Sequence, residues 1–289
     1  TVDNLSYGEE RMAARVFRSM DLFYYKKLKF FFHGDGSMPG QLVPGVTPKG
    51  YAFIRFGTDS SNYYEYKKPI TRGWTDVQIN MEELTAIKQI RDTSLQRQRQ
   101  EFAVTGDPNA IFAIKGNPVL TRVSFFGLGI SNPEERYPNE LTTTVWFNEL
   151  RLTSPESSSD IAAIASASAK LADLGTIDAS FKTQEPNFHR LEERFGNRMN
   201  TTEFTINMQG QLNKFMPKSF SGANLPINYT HSEKLETPEF QANNDVNLDI
   251  AANLASERAR DNGATEEEAQ SIAEDLVKRS QTLIVQDSW

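Results

Sequence analysis

Hydrophobic and polar positions alternate with period two along much of the chain, the pattern of strands whose two faces meet different surroundings. In "YKKLKFFFHG" (25–34), Leu28, Phe30 and Phe32 stand against Lys29, Phe31 and His33. In "GYAFIRFG" (50–57), Tyr51, Phe53 and Arg55 stand against Ala52, Ile54 and Phe56, and in "WTDVQIN" (74–80), Val77 and Ile79 stand against Asp76 and Gln78. "TRVSFFGLGI" (121–130) and "TTVWFNELRL" (143–152) complete the set. In the last of these, Trp146, Asn148, Leu150 and Leu152 share one parity, and Val145, Phe147, Glu149 and Arg151 share the other. Gly, Pro, Asn and Asp fill the gaps, as in "GDGSMPGQLVPGVTPKG" (34–50). One helix interrupts the strands. Asn80 followed by Glu83 reads as an N-cap with a carboxylate at the third helical position, and Leu84, Ile87 and Ile90 form an apolar stripe. "RDTSLQRQRQE" (91–101) reads as a polar extension, a surface loop or frayed helix. Together these predict a mainly β fold, with a jelly-roll-like β-sandwich over residues 1–154. The chain then enters Ser154-Pro155 and a serine run at 157–159.

The texture changes over 160–233. "TTEFTINMQGQL" (201–212) sets Phe204, Ile206, Met208 and Leu212 against Glu203, Thr205, Asn207, Gln209 and Gln211. "ANLPINYTHSE" (223–233) sets Leu225, Ile227 and Tyr229 against Asn228, Thr230 and Ser232. "IAAIASASAKL" and "TIDASFK" flank Ala172-Asp173-Leu174-Gly175, a tight-hairpin candidate. Strict alternation over about ten residues fits a membrane barrel strand. A soluble antiparallel sheet alternates in the same way and is the more frequent source of the pattern. Four such segments do not close a barrel by themselves. A polar helical insert is expected over about 245–280. Thr265 and Glu268 have capping-box spacing there, and Ala269, Ile272 and Leu276 share a face. "QTLIVQDSW" (281–289) reads as a further strand, so 160–289 is expected to hold antiparallel barrel-type strands around that insert.

Composition narrows the function classes. The 289 residues are enough for one or two domains, and 19 Phe with 9 Tyr favour sheet. A net charge of −7 speaks against a general binder of nucleic acid or anionic membrane. With no cysteine, disulfides, thiolate zinc sites and a cysteine nucleophile are excluded. No apolar run reaches the length of a membrane-spanning helix, which leaves barrel strands open. The chain starts at Thr1 and ends just after an apolar run at 283–285, so it is expected to be a piece of a longer protein.

Candidate chemistry is sparse. His33, His189 and His231 lie far apart and without metal spacing. "DVNLD" (245–249) opens like a calcium loop, but Ile250 replaces the glycine and Ser256 the closing glutamate, so helix-start chemistry is the better reading. Asp35 and Asp107 sit in glycine-containing turns, where turn formation outweighs a structural calcium. There is no nucleophile elbow, phosphate loop or dinucleotide fingerprint. Glu134-Glu135 beside Arg136, and Glu192-Glu193 beside Arg194, read as solvated charge. Nothing argues for an enzyme, a cofactor or a metal. Tyr63, Tyr64 and Tyr66 with Trp74 offer a glycan-stacking face, as a carbohydrate-binding jelly roll would need; packing within the sandwich is the plainer account.

Several stretches, in order, resemble one family. "RVFRSMDLFYYKKLKFFFHG" (15–34), "GYAFIRFGTDSSNYYEYKKPI" (50–70), "VWFNELRLT" (145–153), "KLADLGTIDASFKTQ" (170–184) and residues 195–249 are similar to the SprA (Sov) family of gliding-motility and cell-surface proteins of Bacteroidetes. The resemblance implies an outer-membrane component of the type IX secretion system, in which a very large single-chain barrel conducts folded cargo to the cell surface. It implies Glu203, Thr205, Asn207, Gln209, Gln211, Asn228 and Thr230 as pore-lining, and Phe204, Ile206, Met208, Leu212, Leu225, Ile227 and Tyr229 as lipid-facing. It also implies a PorV-type barrel protein, a plug protein, secreted cargo and outer-membrane lipid as partners. The competing classes are a glycan-binding module using Tyr64, Tyr66 and Trp74, and a structural cell-surface protein or adhesin.

Overall fold

The computed structural model describes all residues except 134–139, 156–159, 194, 218–221, 223 and 243. Glu134, Glu135, Arg136, Arg194 and the serine run at 157–159 thus lie outside the described residues. The chain divides into two compact units: Thr1–Glu156 with Asn243–Val246, and Ser157–Ala242 with Asn247–Trp289. Among the described residues the strands pair antiparallel throughout the named sheets.

The first unit runs β1 (Val2–Leu5), β2 (Glu10–Met20), β3 (Tyr25–Gly34), β4 (Tyr51–Asp59), β5 (Asn62–Pro69), β6 (Gly73–Asn80), α1 (Met81–Ile90), β7 (Gln100–Val104), β8 (Asp107–Lys115), β9 (Val123–Ser131), β10 (Leu141–Thr143) and β11 (Val145–Pro155). A six-stranded sheet has the order β2-β9-β4-β5-β8-β7, a three-stranded sheet β11-β3-β6, and β1 pairs with β10. Both larger sheets feed one core. Phe30, Phe32, Val77 and Ile79 come from the smaller sheet, and Ile54, Phe56, Tyr64, Tyr66 and Phe112 from the larger. Burying each such side chain contributes roughly 1.5–3 kcal/mol. The six-stranded sheet also buries Phe53 on its other face. Gly129 makes room for that ring, since a Cβ there would lie 2.3 Å from it.

Local detail departs from the sequence pattern in informative ways. The parity expected for 143–152 does not hold along β11. A bulge between Asn148 and Arg151, with Glu149 in the left-handed region (φ 55°), inserts an extra residue. Val145 and Phe147 therefore share the core side with Leu152, while Trp146 and Asn148 point outward with Arg151. Asn80 does cap α1, accepting from Glu82 N at 3.0 Å, but Ile90 is exposed and Met81 takes its place in the buried stripe. Residues 91–101 form a short 3₁₀ turn, Thr93–Leu95, and then begin β7. Asp35 ties its turn to the neighbouring strands, accepting from Ser37 N at 2.8 Å and Thr144 N at 2.6 Å. Asp107 pairs with Lys68 at 2.6 Å.

The second unit holds β12 (Ala162–Leu171), β13 (Gly175–Gln184), β14 (Met199–Gln211), β15 (Pro226–Pro238), α2 (Leu248–Asp261), α3 (Glu266–Ser280) and β16 (Thr282–Ser288). The strands form one sheet in sequence order, β12-β13-β14-β15-β16. Ala172 in the left-handed region and a Leu174 N to Leu171 O bond close the β12–β13 hairpin. Asn247 caps α2, accepting from Asp249 N at 2.9 Å, so the helix-start reading of "DVNLD" places the cap one residue before the helix. Thr265 and Glu268 form the reciprocal capping box of α3. No helix among the described residues is long and apolar enough to cross a membrane.

Candidate functional site

The register of the five-stranded sheet sorts its side chains onto two faces, because directly opposed residues of antiparallel strands share a face. Phe204, Ile206 and Met208 on β14 stand opposite Phe181, Ala179 and Ile177 on β13. Those in turn oppose Ala165, Ala167 and Ala169 on β12. Ile227 and Tyr229 on β15 join this face, opposite Gly210 and Met208. The other face carries Glu203, Thr205, Asn207 and Gln209 opposite Lys182, Ser180, Asp178 and Thr176, with Gln211 at the end of β14. Asn228 and Thr230 extend it opposite Gln209 and Asn207. Leu212 and Leu225 fall outside the alternation. Leu212 starts a 3₁₀ turn and Leu225 precedes β15, and the two meet through a 2.9 Å backbone bond.

Strands β12 to β15 are 10, 10, 13 and 13 residues long, at or above the roughly 9–11 residues that a tilted strand needs to cross a bilayer core. The sheet is open, with β12 and β16 as its edges. Phe204, Met208 and Phe181 on the apolar face remain exposed, and so does Ile164, which the register places on the polar face opposite Lys182.

One feature was not foreseen from the sequence. His231, Glu233 and Asp287 lie on the same face as Ile206 and Phe204. Asp287 accepts from Tyr229 Oη at 2.9 Å and lies 2.9 Å from His231 Nδ1, while Glu233 lies 3.1 Å from His231 Nε2. Trp289 packs on Tyr229 with ring centroids 4.5 Å apart. The signal was present in the parity of "YTHSE", where His231 and Glu233 continue the register of Tyr229. Asp287 joins them only through β15–β16 pairing across the two helices.

Two ionic groups in the first unit are structural. Asp245 receives Lys88 Nζ at 2.5 Å, Tyr64 Oη at 2.9 Å and Leu120 N at 3.1 Å. The side chains of Lys88 and Asp245 are 2% and 0% exposed. Burial holds the Lys88 ammonium below its ordinary range although Asp245 opposes the shift. Burial, then the charge and hydrogen bond of Asp245, push the Tyr64 phenol well up. On the outer side of the large sheet, Arg55 bridges Glu10 at 2.5 and 2.7 Å and also bonds Glu65, which Arg99 holds from the other side. Burial raises the Glu10 carboxyl, but the hydrogen bond and charge of Arg55 outweigh it, so the net shift is downward.

The proposed aromatic face does not exist as drawn from the sequence. Tyr64 and Tyr66 are 0% and 3% exposed, because the sheet's core face takes them, whereas Trp74 is 57% exposed on the other sheet. Trp74 instead lies beside His33, which stacks on Trp146. The third histidine, His189, contacts Asn187 O through Nδ1 at 2.8 Å.

These features define a mainly antiparallel-β protein, with one unit built around a two-sheet core and another presenting an open sheet of one apolar and one polar face. The profile of the SprA_N family, described as motility related/secretion protein, matches residues 1–252. The chain belongs to this family of motility- and secretion-related proteins. The match spans β1 to β15 and the start of α2; α3 and β16 lie outside it. No curated protein matches the chain.

Proposed function

We propose that this chain is part of the outer-membrane translocon of the type IX secretion system, which conducts folded proteins to the cell surface. The carrying observation is the sheet β12–β16, whose register keeps an apolar and a polar face over strands of membrane-crossing length. In the bilayer, strands satisfy their backbone groups only when every edge is paired, so the open edges of β12 and β16 call for further strands to close a wall. Glu203, Thr205, Asn207, Gln209, Gln211, Asn228 and Thr230 line the water-filled lumen. Phe204, Ile206, Met208, Ile227 and Tyr229 face lipid, with Leu212 and Leu225 at the strand ends.

The first unit serves as a jelly-roll-like sandwich carried by the barrel chain. The mechanism is conduction without a chemical step, and the partners are a PorV-type barrel protein, a plug protein and the cargo. Charged groups on a lipid-facing wall are costly, so the strip of His231, Glu233 and Asp287 is where this face meets protein rather than acyl chains.

An immunoblot of fractionated source cells, with antibody against the first unit, tests the assignment. A very large band in the outer-membrane fraction is expected; a soluble band near 32.6 kDa would refute it. Cysteines placed at 206 and 207 test the faces. A lipid-soluble thiol reagent should label position 206 and a water-soluble one position 207; equal labelling would end the lumen and lipid assignment.

A further inference from the structure

The outward face of the three-stranded sheet in the first unit carries a row of rings that the packing does not use. Trp146, His33 and Trp74 are directly opposed across β11, β3 and β6. The His33 ring stacks on Trp146 at 4.9 Å and 22°, and meets the edge of Trp74 at 5.1 Å. Both indoles are more than half exposed, at 56% and 57%. Large apolar rings fixed side by side on a sheet and left in water form a platform for an apolar ligand face. His33 Nδ1 is buried with no hydrogen-bond partner.

The next row along the strands is Asn148, Phe31 and Asp76, and the one after it Arg151, Lys29 and Gln78. Successive rows lie about 6.8 Å apart. Asp76, Asn148 and Gln78 are exposed. Lys29 stands directly opposite Arg151, a like-charge pair that destabilises a sheet unless an anion relieves it. Glu149 pairs with Arg151 at 3.5 Å, with both side chains half exposed, so Lys29 and Lys27 carry the larger share of the strip's positive charge. Lys27 continues the cationic strip opposite Thr153. In a chain of net charge −7, Lys27, Lys29 and Arg151 outnumber Asp76 and Glu149 here, which leaves a small positive surplus about 14 Å from an aromatic row.

We propose that this face binds a uronate-bearing glycan. Sugar rings stack by their apolar faces on Trp74 and on Trp146, Asp76 and Asn148 bond their hydroxyls, and a ring carboxylate further along the chain sits by Lys29 and Arg151. The charge pattern distinguishes this ligand from a neutral sugar, which would gain nothing from Lys27, Lys29 and Arg151. The site is separate from the β12–β16 sheet, and it stands or falls independently of the translocation reading.

The test is titration calorimetry of the 289-residue chain with hexagalacturonate, with cellohexaose as the neutral comparison. Binding of hexagalacturonate that weakens with salt is expected, with little or none for cellohexaose. Trp74→Ala and Trp146→Ala should each lower affinity by about tenfold. Lys29→Gln should weaken binding and flatten its salt dependence. Trp146→Phe, which keeps a ring, should retain most of the affinity and guards against a folding artefact. No binding of hexagalacturonate, equal binding of cellohexaose, or affinity unchanged in a folded Trp146→Ala protein would each overturn the proposal.

Discussion

Strands β3 and β14 alternate with the same period, and the two units put that period to different uses. On β3, Leu28, Phe30 and Phe32 disappear into a core shared with a second sheet. On β14, Phe204 and Met208 stay exposed beside Ile206, and the polar residues opposite them form a continuous second face. Alternation therefore specifies that a strand has two faces, and not what each face meets. The first unit is held by burial. The second is held by its backbone ladder and by whatever covers its apolar side.

The largest effects that break this contrast lie in the first unit. Phe56→Ala should cost about 3–5 kcal/mol through the cavity it leaves. Asp245→Ala should cost about as much, because it strands the Lys88 ammonium in the core. Denaturant unfolding followed by near-ultraviolet circular dichroism checks both. A loss under about 1 kcal/mol for Asp245→Ala would show that the segment holding Asp245 is not integral to this unit, and one as small for Phe56→Ala would show that burial does not hold the core. A fragment ending at 154 lacks Asp245 and should be destabilised in the same way.

Acid should act next, and on the same unit. The Glu10 and Asp35 carboxyls are both held below their ordinary values. For each, burial acts upward and is outweighed, by Arg55 for Glu10 and by hydrogen bonds from Ser37, Thr144 and Thr143 for Asp35. The unfolded chain, with carboxyl pKa values of about 4, then binds more protons than the folded one in the window below that value. The stabilisation is complete above the unfolded pKa and is lost as pH falls through the lower folded pKa. Urea midpoints measured from about pH 5 down to pH 3 should fall, and Glu10→Gln should flatten that dependence.

Smaller effects sharpen the comparison from the other side. Thr265→Ala removes the capping box of α3 and should cost about 1 kcal/mol, read as lost helical signal on heating. Phe204→Ala should change the stability of the chain in water by no more than about 1 kcal/mol, well below the Phe56→Ala loss, since that ring is 40% exposed. The same substitution in a lipid-inserted barrel should weaken insertion, so measuring it in both settings separates exposure from a missing environment.

Much was legible along the chain. The strands around 25–34, 50–57, 74–80, 121–130 and 143–152 are present, as are the hairpin at 172–175, α1, α3 and the two faces of β14. Strand β2 was not, because "ERMAARVFRSM" mixes arginine and apolar residues on both parities. Strands β5 and β8 were missed for lack of clean alternation, as both faces of that sheet are largely buried. The aromatic face was misplaced: Tyr64 and Tyr66 had the right chemistry and the wrong side of the sheet, whereas Trp146 was hidden by the bulge that shifts its parity relative to Leu152.

The sequence by itself determined what depends on near neighbours. Period-two alternation, the Asn80 and Thr265 caps and the family signature all reside in short windows, where backbone geometry converts residue order directly into faces and ends. Tertiary structure alone decided what depends on distant partners. It took Asp245 out of a helix-start motif and placed it against Lys88 and Tyr64, 157 and 181 positions away in sequence. It set His33 between two tryptophans from different strands, and Asp287 beside His231 across two helices. A charge or a ring carries no local mark of its partner, since the energy that selects the pairing arises only when the sheets assemble and water is excluded.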